Sequence, residues 1–239
     1  MRTRFATLAG VLLILAWASV ARAGQSSRVI LVLGEASFID ASSVQQATSA
    51  EVSRDPGRPL KDVAVLVLAN TPFPSLPQPI QDGLMDYVGA GGTLLITGGP
   101  QSFGSGGYKA VSSIVPFEIR SDNDWRFISF RPPVPVQPGH PILAGVTFLT
   151  VGTVNDMNPR RDATEILQSP GGGRAPDASG AAGGGSYMYP LIAELGVGAG
   201  RVIGIAFDLN AFGGMRDRDR FVQNMLAYLL TASRMGLVR

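Results

Sequence analysis

Three short apolar runs constrain this chain more than anything else in it. Arg28–Gly34 (RVILVLG), Val63–Ala69 (VAVLVLA) and Thr93–Thr97 (TLLIT) are continuous and rich in β-branched residues, and Gly, Asn or Thr ends each one. A strand with one wet face alternates apolar and polar residues. A strand that is apolar at every position is buried on both faces, as in a parallel sheet covered by helices. Ser42–Val52, between the first two runs, reads as a helix. Pro77–Ala90 (PQPIQDGLMDYVGA), between the second and third, places Ile80, Leu84, Tyr87 and Val88 at helical spacing before Gly91-Gly92 stops it. Strand, helix, strand, helix, strand implies right-handed crossovers and a doubly wound sheet.

The second half is less regular. Arg131–Pro141 is rich in proline and reads as an extended connection. Ala163–Gln168, Pro190–Val197 and Gly200–Phe207 (GRVIGIAF) read as strands, and Gly198-Ala199-Gly200 suggests an antiparallel hairpin turn between the last two. Gly171–Ser186 (GGGRAPDASGAAGGGS) is low in complexity and is expected to be a mobile loop. Arg220–Ala232 (RFVQNMLAYLLTA) is an amphipathic closing helix. The alternating charges Arg216–Arg220 before it suit a solvated helix start.

The first 23 residues, MRTRFATLAGVLLILAWASVARA, read as a targeting segment. Arg2 and Arg4 open it, Leu8–Val20 is an apolar run too short for a comfortable membrane span, and Ala21-Arg22-Ala23 is a small-x-small cleavage signature. Cleavage would leave one α/β domain over 24–239, exported in soluble form to the periplasm or beyond and lacking a stable membrane span. An uncleaved anchor is the alternative. Removing Arg2, Arg4 and Arg22 from the 20 bases leaves 17 against 18 acids, so there is no basic surplus for a nucleic-acid partner. With no cysteine and one histidine, disulfides, thiolate metal sites, cysteine nucleophiles and multi-histidine zinc sites are ruled out. No metal site or cofactor signature is visible.

Two stretches carry a family resemblance. Tyr87–Tyr108, YVGAGGTLLITGGPQSFGSGGY, resembles the glycine pair, strand, Gly-Gly, Ser-Phe-Gly and Gly-Gly-Tyr pattern of glutamine amidotransferase-like domains. Gly200–Leu229 looks like the last strand and closing helix of the same class I glutamine amidotransferase-like superfamily, and Val63–Pro72 and Gly139–Gly145 also fit. The resemblance spans roughly Arg28 to Leu230. It implies a flavodoxin-like, doubly wound, mainly parallel sheet with helices on both faces and an antiparallel C-terminal hairpin. It also implies where a catalytic triad would sit. The nucleophile's turn corresponds to Thr97-Gly98-Gly99, which holds no cysteine. The family's Phe-His-Pro-Glu corresponds to Phe207-Asp208-Leu209-Asn210, so Asp208 takes the histidine position and Asn210 the glutamate position. Thiolate attack needs a thiol and a base titrating near neutrality. Glutamine hydrolysis by the family mechanism is therefore not expected.

In an open α/β sheet, ligands bind beyond the carboxyl ends of the strands. The candidate cleft comprises Gly34, Glu35, Asn70, Gly98, Gly99, Gln101, Ser102, Phe103, Tyr108, Asp208 and Asn210. The glycines of the Gly98–Tyr108 loop permit close backbone approach, and such loops can present amides to an oxyanion. Phe103 is either an apolar wall of the cleft or, with Tyr108, an anchor of the loop on the sheet. Ser102 has no apparent base and more simply caps a turn. Asp208 either binds a hydroxyl-rich ligand or cation or caps the segment after it. His140, in GHPIL, reads as part of a turn. Asn155, Asp156 and Asn158 either line the cleft or make Asx turns. Three functions fit: an inactive amidotransferase-like domain that binds a small molecule or an envelope protein, a hydrolase using Asp208 and Glu35 as acid and base, or a soluble small-metabolite binding protein.

Overall fold

The three apolar runs become adjacent parallel strands, β1 (Val29–Gly34), β3 (Val65–Ala69) and β4 (Thr93–Thr97). The computed structural model describes residues 28–147, 151–171, 187–211 and 217–235; Met1–Ala23, expected to be a targeting segment, and all of the glycine-rich 171–186 stretch except Gly171 lie outside them. The remaining elements are α1 (Ala41–Thr48), β2 (Glu51–Ser53), α2 (Gln78–Gly89), β5 (Phe117–Glu118), β6 (Trp125–Arg131), β7 (Val134–Pro135), β8 (Val151–Asn155), β9 (Asn158–Pro159), β10 (Thr164–Pro170), β11 (Met188–Val197), β12 (Gly200–Ile205) and α3 (Arg218–Met235). The main sheet runs β2-β1-β3-β4-β12-β11-β10-β7. Its first five strands are parallel, in the 2-1-3-4-5 order of a flavodoxin-like fold, and β11, β10 and β7 extend it antiparallel.

Both faces of the sheet are covered, which is why the central strands tolerate no polar alternation. Ile30, Val32, Val65, Val67, Leu95, Ile203 and Ile205 pack against Val44 of α1 and Phe221, Met225 and Leu229 of α3. Leu31, Leu33, Leu66, Leu68, Leu94 and Ile96 pack on the other face against Ile80, Leu84 and Val88 of α2. Each fully buried Leu or Ile contributes about 2 kcal/mol, so this alternation of faces carries most of the fold. Among the described residues, no helix is long and apolar enough to cross a membrane.

The C-terminal hairpin forms as expected. Val197 pairs with Gly200, leaving a two-residue turn whose first residue, Gly198, has φ +58°. Added carbon at that position would also meet the Gly89 carbonyl oxygen at 2.6 Å. Two expectations need correction. The helix expected over Ser42–Val52 stops at Thr48, because Ser49 turns left-handed (φ 58°) and Glu51–Ser53 pairs in parallel with β1 as an edge strand. The proline-rich 131–141 connection contains β7, which closes the other edge against Leu167 and Gln168. A short strand before the Asn155–Asn158 cluster was expected and is β8, but the pairing of strands into two small ribbons, β5–β9 and β6–β8, had no counterpart in the sequence reading.

Candidate functional site

β1, β3, β4 and β12 end at one edge of the sheet, and strand order reverses between β1 and β3. Glu35 and Asn70 stand at that switch point. Gly34 has φ +86°, and a Cβ there would lie 2.1 Å from the Ala69 carbonyl oxygen, so the crossing requires glycine. The Glu35 amide donates to that oxygen at 2.7 Å. Asn70, buried and at φ 40°, donates from Nδ2 to Glu35 Oε2 at 2.7 Å and accepts from the Gln101 amide at 2.9 Å. After β12 the chain turns over Asp208, whose Oδ1 accepts from the Asn210 amide at 2.8 Å. Asn210 then ties this turn to the segment after β1. Its Oδ1 accepts from Ser37 N and Oγ, both at 2.8 Å, and its Nδ2 donates to the Glu35 carbonyl. Asp208 is half-buried. Burial pushes its carboxyl above the usual range and the nearby Glu35 charge adds to this, while the Asn210 amide opposes it.

The Gly98–Tyr108 loop does not form an open anion cradle. Gly99 donates to Asn155 Oδ1 at 3.0 Å, and Gln101 donates to Asn70. Gly104 and Ser105 donate to the two oxygens of Asp124 at 2.9 and 3.2 Å. The Gly98, Ser102, Gly106, Gly107 and Tyr108 amides go to carbonyls of Ile205, Gly99, Ser102, Gly104 and Phe103. The expectation that this loop offers amides to an oxyanion is therefore corrected: its glycines serve close packing. A Cβ on Gly98 would meet Ala206 C at 2.6 Å and Asn155 Oδ1 at 2.7 Å, and one on Gly104 would lie 1.9 Å from the Ser121 carbonyl oxygen.

Phe103 and Tyr108 are fully buried, so of the two readings the anchor holds and the cleft wall does not. Phe103 takes φ 46° and meets Phe117 edge-on at 5.5 Å. The Tyr108 hydroxyl donates to the Thr71 carbonyl at 3.0 Å, and burial holds its phenol far above the normal range. Ser102 is also fully buried; its Oγ has no partner among the described residues, so it neither caps a turn nor faces a base. What remains open at the edge is Gly34, Glu35, Gln101, Asp208 and Asn210.

His140 lies on the antiparallel half. Its Nδ1 accepts from Ile142 N at 3.3 Å as the cap of a short turn, and its Nε2 is 3.4 Å from Glu194 Oε2. Asn155 is fully buried, and its Nδ2 bridges the Gly99 carbonyl and Asp124 Oδ1, both at 3.1 Å. It is a plug behind the loop. Asn158 lies in β9, opposite Glu118. Sequence reasoning missed Asp124, the fully buried acceptor that holds the loop. It sits among other small polar residues (SDNDW), and only its burial distinguishes it. Arg120 and Tyr187, which gather around Asp156, were also missed, because they reach it from segments far apart in the chain.

No protein-family model and no curated protein sequence matches this chain. Solved structures do. The fold is similar to that of the cytoplasmic protein STM3548 from Salmonella typhimurium, with TM-score 0.61 and 13% identity over 84% of this chain and 98% of that one. It is likewise similar to the cytoplasmic protein STM1381 from Salmonella typhimurium LT2, with TM-score 0.62 and 13% identity over 84% and 99%. A third likeness is to the cold-adapted beta-galactosidase from Rahnella sp. R3, with TM-score 0.54 and 11% identity. It covers 89% of this chain but 32% of that enzyme. At such identities the likeness is one of fold.

Proposed function

We propose that this chain is an exported, amidotransferase-like domain that has lost hydrolysis and binds a small molecule or an envelope protein at its strand ends. The observation that carries this reading is the sealed turn after β4. The turn lacks the thiol, and the backbone of Ala206 and the Asn155 side chain also occupy the space into which any side chain on Gly98 would project. Asp208 and Asn210 stand where the family places its base and that base's partner. An ionised aspartate is an indifferent base and asparagine is none. The open polar groups at the edge, Glu35, Gln101, Asp208 and Asn210, suit recognition. The two Salmonella proteins bear the description cytoplasmic. Met1–Ala23 supports a different compartment here.

One observation favours a second reading, a hydrolase in which Asp208 and Glu35 share acid and base roles. Asp208 is raised by burial and by its neighbour, as a general acid requires. A thermal-shift screen of the chain from Gly24 against amino acids, sugars, organic acids and divalent ions tests the binding reading, with Asp208→Ala beside it. A ligand at a hundredfold excess over its Kd stabilises by about 2.7 kcal/mol. A hit abolished by Asp208→Ala places a small molecule at the strand ends. Absence of any hit shifts the reading to an envelope protein, sought by pull-down. Turnover of a hit that depends on both Glu35 and Asp208 replaces the binding reading with the hydrolase. Ammonia release from glutamine overturns the loss of family activity.

A further inference from the structure

The chain has one histidine, and its two ring nitrogens have fixed and different roles. His140 precedes Pro141, which opens the short turn Pro141–Leu143 and carries no N–H. The first donors left over are therefore the amides of Ile142 and Leu143. Leu143 N donates to the His140 carbonyl at 2.9 Å, and Ile142 N donates to His140 Nδ1 at 3.3 Å. An amide can only donate, so Nδ1 is the acceptor and the neutral ring carries its proton on Nε2. That proton faces Glu194 Oε2, 3.4 Å from the nitrogen. Ile142 is fully buried, so water cannot take the place of Nδ1 while the turn is closed.

A second ring proton has no place in this arrangement. It would set Nδ1–H against the Ile142 N–H, and turning the ring does not help, because both nitrogens of an imidazolium donate. Among the described residues, β11 brings Glu194 to the ring, β12 brings Arg201 and α3 brings Tyr228. The Glu194 carboxylate attracts the added charge. It is already engaged by Arg201 Nη1 on Oε1 at 2.8 Å and by the Tyr228 hydroxyl on Oε2 at 2.9 Å, and the Arg201 guanidinium repels a second cation. The Ile142 amide, by contrast, would be buried with no acceptor. An open turn gives that amide to water and accommodates both ring protons. A proton thus binds the open arrangement in preference to the closed one.

We propose that His140 is a proton-sensitive latch, which holds the 140–145 turn against α3 near neutral pH and lets it open in mild acid. The opening is local. Ile142 and Leu143 pack in the same buried cluster as Phe221 and Met225 of α3, and Asn224 Nδ2 donates to the Ile142 and Ala144 carbonyls. Thr147 stays tethered, because its amide and hydroxyl donate to Asp217 Oδ2 at 2.7 and 2.9 Å. The latch goes beyond the strand-end reading and operates whatever that edge binds.

The test uses protein purified without a histidine tag after expression of the whole chain, so that every imidazole signal belongs to His140. Ring nitrogen shifts report the tautomer, and hydrogen exchange reports the protection of the Ile142 amide relative to an unstructured chain. The Nε2–H tautomer is expected at about pH 7.5. Between there and about pH 5, Ile142 protection is expected to fall about tenfold with the midpoint of the ring titration, while the amides of β3 and β4 keep theirs. His140→Asn supplies a side-chain oxygen that caps without titrating and is expected to keep Ile142 protected at both ends of the range. His140→Ala has no acceptor and is expected to leave it weakly protected throughout. If neither variant folds, the coincidence of ring titration and Ile142 exchange in the unaltered protein decides. An Nδ1–H ring near neutrality, Ile142 protection unchanged across the titration, the same fall in His140→Asn, or an equal loss in β3 and β4 each overturns the latch.

Discussion

Two neighbours at the same edge of the sheet use their polar groups in opposite ways. The loop Gly98–Tyr108 turns them inward: the side chains of Asn70, Asp124 and Asn155 take up the Gln101, Gly104, Ser105 and Gly99 amides, and Phe103 and Tyr108 are buried. The corner built from Glu35 and the Asp208–Asn210 turn leaves a carboxylate exposed and another half-exposed. Glycine density thus marks where backbones come close, and burial decides whether their amides are available to a ligand. The open polar groups of this edge, Glu35, Gln101, Asp208 and Asn210, lie beside the loop that looks most like a binding motif.

Substitutions can break that contrast. Asp124→Ala is expected to cost the most, about 4 kcal/mol, because it strands the Gly104 and Ser105 amides, the Ser105 hydroxyl and the Asn155 amide together. The urea midpoint reads this, and a loss within experimental error of zero would mean the loop is not held as described. Gly104→Ala is next at about 3 kcal/mol, since the obstructing atom is a backbone oxygen that cannot rotate away.

At the corner the effects shrink and change sign. Asp208→Asn keeps the acceptor for the Asn210 amide and removes a charge that burial disfavours. A carboxyl raised in the folded state lowers stability once ionised. The native chain should therefore lose stability as pH rises from the ordinary aspartate range through the raised value, and the variant should not. The difference at neutral pH should be no more than about 1 kcal/mol, because the group is partly solvated, and it should vanish in acid, where both states are protonated. Melting temperature against pH measures it. Glu35→Gln, which retains an oxygen for Asn70, should change stability by less than about 0.5 kcal/mol. A large loss there would make the corner structural and weaken the binding reading.

Much of the parallel half was legible because its signal is local. The β3 and β4 runs and the Pro77–Ala90 periodicity each report burial of a single element, and they map onto β3, β4 and α2 within two residues. The hairpin was legible for the same reason, since a two-residue turn carries its own glycine. The β2 edge was not, because its three residues are strand only by pairing with β1. Nor were the ribbons β5–β9 and β6–β8. The candidate site divides likewise: Gly34, Glu35, Asp208 and Asn210 follow from where strands end, whereas Asp124, Arg120 and Tyr187 are reached only when segments far apart in the chain converge.

By itself the sequence determined the alternation of buried strands and helices, the absence of any thiol, and which strand ends gather at one edge of the sheet. These depend on residue type and spacing within short windows. Only the tertiary structure decided that the glycine loop is sealed, that Ser102 Oγ is buried without a partner among the described residues, and that Arg120 and Tyr187 meet at Asp156. Each of those outcomes turns on which distant group occupies the space next to a given atom, and hydrogen-bond satisfaction and close packing settle that only once the whole chain is folded.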